Sequence, residues 1–351
     1  MVLKKTFSPE ELKVVDVKPG FMGMGPGVPL LNTPISYREN LNAIYTTKDA
    51  LWVATFQESS GVMSKLYNDN FSRPGPDNDG MVDVFGAKWK WVASAGGSIT
   101  AGGAPIFTDA NEWKEKITIP DVDAWDWETD LIESNKNLDT RFSPQFTLIN
   151  GFWFERLITL MDFENAAMAL VDEDQQDAVI ELFGELTNVA CKIVDKVCQY
   201  VPAVDGFCVH DDWGSQRSPF FSEEIARKIF LPFMKQLVDH VHSKGRYITI
   251  HSCGHIEDRI NILIEAGLDG WQMQNMNDVK KLHELYGDKI VFEAWPDEFD
   301  PNDEEAAKKA ARDFVDHFFQ PGKQAIIGYN GGAAIACKAF ADELYTYART
   351  K

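Results

Sequence analysis

From residue 138 to the end of the chain, short runs of β-branched and aromatic residues alternate with longer segments whose apolar residues recur at helical spacing. Side chains repeat every two residues on a strand and about every 3.6 residues on a helix, so the two kinds of segment can be told apart. The pattern predicts strands at 146–150, 206–211, 246–252, 270–275, 289–295 and 324–330. It predicts helices in the segments 154–170, 173–200, 218–245, 255–267, 278–287, 304–319 and 334–349, with Gly245 and Gly267 as helix stops.

Strands and helices that alternate at this pace predict successive βα units and a parallel sheet. About eight units result when a helix at 36–48, a strand at 50–56 and one strand within 58–120 are included. We therefore expect an α/β protein, a (β/α)8 TIM barrel in a single domain of residues 1–351. A doubly wound open sheet is the alternative, but no glycine-rich G-x-G-x-x-G turn follows an early strand.

Two N-terminal segments depart from this alternation. Residues 1–35 are expected to form an irregular extension, because Gly, Pro and Met dominate 19–34. That stretch is typical of a loop or a lid, and the adaptable packing of Met favours the loop. Residues 58–120 are expected to form a β-hairpin excursion with a flexible glycine-rich stretch at 95–105.

Charge and cysteine content narrow the class of protein. The formal net charge of −20 and a pI near 4.7 argue against nucleic acid and anionic membrane surfaces as partners. The five cysteines are odd in number and show no disulfide-type spacing, which indicates a reducing cytosol. The N-terminus has no apolar signal core and no apolar run is long enough to span a bilayer, so we expect a soluble cytoplasmic protein.

Candidate chemistry lies where predicted strands end. The strand at 246–252 runs into His251-Ser252-Cys253-Gly254, and alternate residues of a strand point to the same side. Imidazole with thiolate is a ligand pair for transition metals, zinc being the commonest. A buried strand with one core Cys and a polar neighbour is the alternative interpretation.

Other predicted strands also end in polar or aromatic residues. In a barrel the carboxyl ends of all strands meet at one face, where active sites lie. We therefore expect these strand ends to form one site: Asn150, 210–213, 251–254, 272–275, 293–295 and 329–332.

Several segments resemble the uroporphyrinogen-decarboxylase-like proteins. Residues 151–157 (GFWFERL) with 162–165 (DFEN) are similar to that family's "G-x-x-F-E-R-L…G-F-E-N" segment, and 211–219 and 285–292 are similar to two others. His251-Ser252-Cys253-Gly254 resembles the zinc motif of the family's methyltransferase branch. The resemblance covers roughly 140–335.

The resemblance implies one of two activities. The decarboxylases bind an anionic porphyrinogen through an arginine-rich N-terminal segment without metal, whereas residues 1–35 here contain no arginine. The methyltransferases are (β/α) barrels that use zinc to move a methyl group between a small molecule and the cobalt of a corrinoid protein. We place the chain in the methyltransferase branch. One departure is that thiol-activating members carry a further Cys where this chain reads Gly328-Tyr329-Asn330-Gly331-Gly332, with Cys337 several residues later.

These considerations assign candidate roles. The candidate metal ligands are His251, Cys253 and Cys337. The candidates for the remaining ligand positions are Asp212, His210, Glu293 and water. Asp212 is alternatively an acid near the leaving group, and His210 and Glu293 are alternatively proton relays. The candidate substrate-binding residues are Asn150, Trp153, Trp213, Gln216, Gln274, Trp295 and Tyr329.

A site with one thiolate and harder ligands leaves zinc more electrophilic than two thiolates would, which suits an oxygen-bound methyl group. We therefore expect a methoxylated, and from the tryptophans an aromatic, methyl donor. A corrinoid-binding D-x-H-x-x-G stretch is absent from the sequence, so the corrinoid is expected on a partner protein. Barrels of this kind often dimerise, so a homodimer is one candidate assembly, although the sequence does not determine the oligomeric state. The alternatives are a metal-free decarboxylase or lyase, a methyltransferase from corrinoid to a thiol or folate, and a non-catalytic binding protein.

Overall fold

The computed structural model describes residues 6–19, 27–71, 73–94, 97–100 and 105–351. The chain divides into two compact units. Unit 1 comprises residues 1–60, 139–143 and 269–351, and unit 2 comprises 61–138 and 144–268.

The secondary structure alternates between strands and helices. The strands are β1 (Val14–Lys18), β2 (Val28–Leu31), β3 (Ser59–Gly61), β4 (Trp89–Val92), β5 (Gly97–Thr100), β6 (Ser143–Leu148), β7 (Gly206–His210), β8 (Tyr247–His251), β9 (Gly270–Gln272), β10 (Val291–Ala294), β11 (Phe319–Gln320), β12 (Lys323–Gln324) and β13 (Ile326–Ile327). The helices are α1 (Tyr37–Thr46), α2 (Lys65–Asn70), α3 (Trp113–Lys116), α4 (Trp127–Asn135), α5 (Phe154–Val171), α6 (Glu173–Tyr200), α7 (Glu223–Ile225), α8 (Leu231–Ser243), α9 (Ile260–Ala266), α10 (Val279–Tyr286), α11 (Glu304–Phe318), α12 (Gly332–Ile335) and α13 (Lys338–Thr350).

Unit 2 is built on three parallel strands, β6, β7 and β8. Leu148 of β6 pairs with Val209 of β7, and His210 of β7 pairs with His251 of β8. Helices α5 and α6 connect β6 to β7, while α7 and α8 connect β7 to β8. The strands are buried along most of their length because helices cover them, as expected for parallel sheets.

The helices that follow these strands begin and end where local chemistry predicts. Asp172 caps α6 by accepting the N–H of Asp174, and Gly267 ends α9 in the left-handed conformation at φ +86°. A π-helical turn at Ala226–Phe230 joins α7 to α8. Pro232, whose ring nitrogen carries no hydrogen to donate, lies in the first turn of α8.

The predicted hairpin excursion is confirmed within unit 2. Strands β4 and β5 pair antiparallel, from Trp89 opposite Thr100 to Val92 opposite Gly97. A fully buried ion pair ties this region to α5, since Arg156 Nη1 lies 2.9 Å from Asp83 Oδ2. The stretch predicted as flexible at 95–105 falls largely outside the described residues, which exclude 95–96 and 101–104.

Unit 1 contains a second parallel set, β9, β10 and β13. Phe292 of β10 pairs with Trp271 of β9, and Ala294 of β10 pairs with Ile327 of β13. Helix α10 connects β9 to β10 and α11 follows β10, as the pattern predicts.

The predicted strand at 50–56 is wrong. Only Thr55 forms a bridge, parallel to Ile327, although residues 50–54 are buried. Side-chain amides take the place of a neighbouring strand: Asn40 Oδ1 accepts the Leu51 N–H at 2.8 Å, and Gln324 Oε1 accepts the Ala50 N–H at 2.8 Å. The segment is therefore buried with its backbone satisfied.

Beside this segment lies a buried carboxyl group, Glu58. Its Oε1 accepts the indole N–H of Trp52 at 3.1 Å, while Oε2 has no partner among the described residues. Burial raises the pKa of Glu58 to about 8.

The N-terminal extension is also more regular than expected. Strands β1 and β2 form an antiparallel pair, from Val14 opposite Leu31 to Lys18 opposite Val28. The prediction of an irregular extension is therefore wrong at 14–18 and 28–31. The loop-or-lid prediction for 19–34 lies partly outside the described residues, which exclude 20–26.

Both units are of the α/β class, with parallel strands linked by helices as in (β/α) barrel proteins. The closed eight-stranded barrel and the single domain stay predictions. In the part of the chain that the structure describes, every helix is too short or too polar to cross a membrane.

Candidate metal centre

The candidate metal centre lies in unit 2, at the two histidines that end β7 and β8. His210 and His251 occupy the same register on neighbouring strands, so both side chains leave the sheet together. Their rings stack with centroids 4.1 Å apart and a tilt of 20°. One ligand atom each from His210, Asp212 and His251 lie within 4.8 Å of one another.

Cys253 lies at the same cluster. Its Sγ is 3.3 Å from His251 Nε2, and its backbone N–H donates to Asp212 Oδ1 at 2.7 Å. Asp212 Oδ1 is 4.0 Å from His251 Nε2. A thiol, two imidazoles and a carboxylate thus converge from two adjacent strand ends, as the sequence predicts for 210–213 and 251–254.

The two loops that carry these groups are bound to each other. The Trp213 N–H donates to Ser252 Oγ at 3.0 Å, and the His255 N–H donates to the Ser215 carbonyl at 2.7 Å. Gly254 has φ +96°, and a Cβ at this position would lie 2.2 Å from the backbone of Gly214. Only glycine permits this crossing, so the loop geometry depends on it.

Asp211 anchors the next helix to the site. Its fully buried carboxylate accepts the N–H groups of Phe154 and Glu155, at 3.2 and 2.9 Å, at the start of α5. It also accepts the indole N–H of Trp213 at 2.7 Å. Carboxylates are favoured at helix N-termini, where unpaired N–H groups and the helix dipole attract negative charge.

A cation and a buried acid flank the cluster. The Arg73 guanidinium donates to Glu155 Oε1 at 2.6 Å and to Asn150 Oδ1 at 3.3 Å. Arg73 is one-third exposed, at 33 %, whereas the Glu155 side chain is 3 % exposed. Asn150 holds a left-handed φ of 64° at the turn after β6, a conformation that Asn tolerates better than most residues.

The protonation states follow from burial and from neighbouring charges. Burial lowers the pKa of His210 to about 3, and burial also lowers the pKa of His251, so both rings are neutral near neutral pH. Burial would raise the pKa of Asp212, but the hydrogen bond from Cys253 and the nearby His251 hold it below its usual value. Burial, followed by the charge of Asp212, raises the pKa of Cys253 to about 12.

Glu155 behaves as a buried acid. Burial raises its pKa to about 8 against the opposing charge of Arg73. Its Oε2 is buried and has no hydrogen-bond partner among the described residues. This carboxyl group is therefore positioned to hold a proton beside the cluster.

Two predicted substrate-binding residues are core residues in this structure. Trp153 is 1 % exposed and donates its indole N–H to Thr187 Oγ1 at 3.0 Å, and Trp213 is 0 % exposed. Such burial leaves these side chains no surface for substrate contact, so their role stays a prediction without structural support. Gln216 is exposed on the loop after Trp213.

The remaining candidates belong to unit 1. Glu293 is the last residue but one of β10, and burial raises its pKa to about 7 despite hydrogen bonds from Gln272 and the Tyr329 backbone. Tyr329 is 73 % exposed and contacts the ring of Phe56, with centroids 5.6 Å apart. Gln274 and Trp295 are partly exposed near the ends of β9 and β10.

Cys337 belongs to unit 1, whereas the ligand group described above belongs to unit 2. It precedes α13, and its thiol donates to the carbonyl of Pro301 at 3.6 Å, also in unit 1. Among the described residues, the compact group of ligand atoms consists of His210, Asp212 and His251. The assignment of Cys337 as a ligand stays a prediction.

The sequence assignments omit Arg73 and give Glu155 no defined role. Arg73 lies in the loop 71–76 (FSRPGP), where nothing local distinguishes it from a surface arginine. Glu155 could be suspected from the GFWFERL segment. Only the folded chain brings both beside the strand ends.

The donor set fits a zinc-type ion. Thiolate, imidazole and carboxylate are all zinc ligands, and bonds of about 2.0 Å to nitrogen and 2.3 Å to sulfur put two ligands of one ion about 3.5 Å apart. The 3.3 Å between His251 Nε2 and Cys253 Sγ matches that spacing. In addition, His210 Nδ1 is buried without a hydrogen-bond partner among the described residues.

Comparison with known proteins agrees with the resemblance found in the sequence. Residues 156–293, less than half of the chain, match the uroporphyrinogen decarboxylase (URO-D) family. The chain has no significant match among curated proteins. Its fold is similar to that of a solved methyltransferase from Methanosarcina mazei, with a TM-score of 0.57 and 12 % identity over 90 % of this chain and 98 % of that chain. At this identity the likeness establishes the fold.

Proposed function

We propose that this chain is a methyltransferase that takes a methyl group from a small methylated molecule and delivers it to the cobalt of a corrinoid held by a partner protein. The observation that carries the proposal is the convergence of His251, Cys253, Asp212 and His210 at two adjacent strand ends. Bound there, zinc would act as a Lewis acid on the heteroatom that carries the methyl group.

The chain's own residues perform distinct tasks in this proposal. His251 and Cys253 would hold the ion, and the hydrogen bond to Asp212 orients the Cys253 backbone. The Gly254–Gly214 crossing keeps the two strand-end loops at a fixed spacing. Asp211 fixes the start of α5 and thereby the position of Glu155.

The proposed reaction also requires a proton for the leaving oxygen. When the methyl–oxygen bond breaks heterolytically, oxygen keeps the electron pair and must be protonated before the alcohol or phenol leaves. Asp212 was assigned this role from sequence, but its lowered pKa favours the ionised form. The raised pKa of Glu155 makes that carboxyl group the better proton donor.

The donor is proposed to be a methoxylated aromatic compound. Because Cys253 is the thiol of the cluster, the ion would have one thiolate and harder ligands, which favours an oxygen donor over a thiol. The proposed methyl acceptor is a corrinoid carried by a partner protein, as expected from the sequence.

A metal-free decarboxylase is the second candidate, because the matched family is named for that activity. Such a reaction needs a cation for the substrate carboxylate. Arg73 is a cation at the site and hydrogen-bonds Glu155 Oε1 at 2.6 Å, but the metal-free reaction does not need the thiol and the imidazoles of the cluster. The methyltransferase therefore accounts for more of the site.

The test combines elemental analysis with methyl transfer to free cob(I)alamin. We expect about one zinc per chain, and formation of methylcobalamin and a demethylated product from at least one methoxylated aromatic compound. Cys253→Ser is expected to lose the metal and the transfer, and Cys191→Ser, a substitution on the outer helix α6, to retain both. Transfer that is unaffected by Cys253→Ser would contradict the Lewis-acid role, and decarboxylation without bound metal would favour the second candidate.

A further inference from the structure

The cluster contains one histidine more than the His-x-Cys motif requires. His210 ends β7, one strand away from the motif, and pairs in register with His251. Its imidazole ring stacks on that of His251 at 4.1 Å, on the side of the sheet from which the ligand side chains leave.

We propose that His210 is the third protein ligand of the metal, beside His251 and Cys253, with a fourth position open to the substrate. The inference deepens the proposed function and rests on it for the purpose of the metal, but the ligand set can be tested without any methyl transfer. It selects His210 from the residues that the sequence offers for the remaining ligand positions, in preference to Cys337, Asp212 and Glu293.

Geometry supports the assignment. The stacking at 4.1 Å with a 20° tilt holds the two rings side by side, and one ring must rotate out of the stack for a nitrogen of each to point at one ion. The ligand atoms of His210, His251 and Asp212 lie within 4.8 Å of one another. That rotation would bring the two ring nitrogens to the separation of about 3.3 Å that two nitrogen ligands of one zinc require.

Hydrogen bonding points the same way. His210 Nδ1 is buried and has no hydrogen-bond partner among the described residues. Buried polar atoms are rarely left unsatisfied, and a ring nitrogen without a protein partner is commonly satisfied by a bound ion or water. Coordination of the ion by His210 Nδ1, or a hydrogen bond from Nδ1 to a group that enters with the ion, would satisfy this nitrogen.

Asp212 has a different task. Its Oδ1 accepts the backbone N–H of Cys253 at 2.7 Å, so the carboxylate is engaged in positioning the thiol. A metal bound by two neutral imidazoles and one thiolate then keeps a net positive charge, which the neighbouring Asp212 partly offsets. Three protein ligands with one open position is the arrangement of catalytic zinc sites, whereas four protein ligands close the site.

The test is titration of the metal-free protein with Co²⁺, which occupies zinc sites and reports its ligands by absorption. Wild type is expected to show a thiolate-to-cobalt charge-transfer band in the near ultraviolet. His210→Ala should retain the band but weaken Co²⁺ binding at least about 10-fold, because loss of a ligand costs no less than loss of a supporting group, which costs about 10- to 100-fold. Cys253→Ser should abolish the band.

His255→Ala is the matched control. This histidine follows the same loop, is partly exposed, and hydrogen-bonds the Arg217 carbonyl at 3.2 Å. We expect wild-type affinity from this variant. Thermal unfolding of the metal-free variants, followed by circular dichroism, separates loss of a ligand from loss of the fold.

His210→Cys tests the assignment by an increase in the charge-transfer band, which a misfolded variant would not show. If position 210 is a ligand, a second thiolate should raise the charge-transfer intensity about twofold. Wild-type affinity in His210→Ala, or an unchanged band in His210→Cys, would overturn the assignment. Metal binding with the expected spectra but no methyl transfer would support the ligand set and contradict the proposed function alone.

Discussion

The carboxylate of Asp211 is predicted to contribute more to stability than any ordinary helix cap. Asp211→Ala removes the acceptor of three donors, the N–H groups of Phe154 and Glu155 and the indole N–H of Trp213. Each buried donor left without a partner costs about 1–3 kcal/mol. We therefore expect the free energy of unfolding to fall by at least about 3 kcal/mol.

Asp211→Asn should be less damaging. The amide keeps one oxygen acceptor but turns its NH2 group toward N–H donors, so one donor loses its partner, at a cost of about 1–3 kcal/mol. Counting acceptors therefore predicts that Asp211→Ala has the lowest free energy of unfolding, Asp211→Asn an intermediate one and the wild type the highest.

Urea denaturation followed by far-ultraviolet circular dichroism measures these differences. Asp172→Ala is the control, because Asp172 caps the next helix, α6, but is only partly buried. Loss of such a cap costs about 0.5–2 kcal/mol. If Asp211→Ala and Asp172→Ala destabilise the protein equally, the argument from buried donors is refuted.

Three further predictions concern other parts of the chain. Gly254→Ala should lower zinc content and reduce the free energy of unfolding. The control is Gly245→Ala, where a Cβ meets no atom within 4 Å and left-handed strain alone costs roughly 1–2 kcal/mol. Gly254→Ala should cost well beyond that, and equal effects in the two variants would show that the loop crossing does not matter. Burial raises the pKa of Glu58 from 4.5 to about 8 in the folded state. Between these two pH values the native state binds more protons than the unfolded state, so the free energy of unfolding falls as the pH rises from 4.5 to about 8. Glu58→Gln should make this slope shallower by up to about 1.4 kcal/mol per pH unit in denaturation at several pH values, and an unchanged slope would contradict it. Arg156→Met should cost about 3–5 kcal/mol in the same assay, since it leaves Asp83 buried without its charged partner; a cost below about 1 kcal/mol would argue that water reaches the pair.

Much of the local structure could be predicted because its causes are local. Helix α6, the stops at Gly245 and Gly267, and the end of β8 at His251 follow from periodicity and from the conformational freedom of glycine. The His251–Cys253 pair could also be predicted, since residues two apart on a strand share a face.

The tertiary structure decided which distant residues meet. Sequence placed His210 at a strand end, but only the register of β7 with β8 stacks it on His251. Likewise, Arg73 and Glu155 reach the site through a loop and a helix whose positions depend on long-range packing. Register and packing are set by contacts between residues far apart in the chain, which periodicity does not report.

Tertiary structure also overruled two local interpretations. Residues 50–56 read as a strand because they are apolar, yet the amides of Asn40 and Gln324 satisfy that backbone instead. Trp153 follows a strand that ends at the site, yet its side chain packs into the core against Thr187. Sequence thus determined which segments are buried and which carry ligand chemistry, while the fold determined what each buried segment bonds to, because hydrogen-bond partners are chosen across the whole chain.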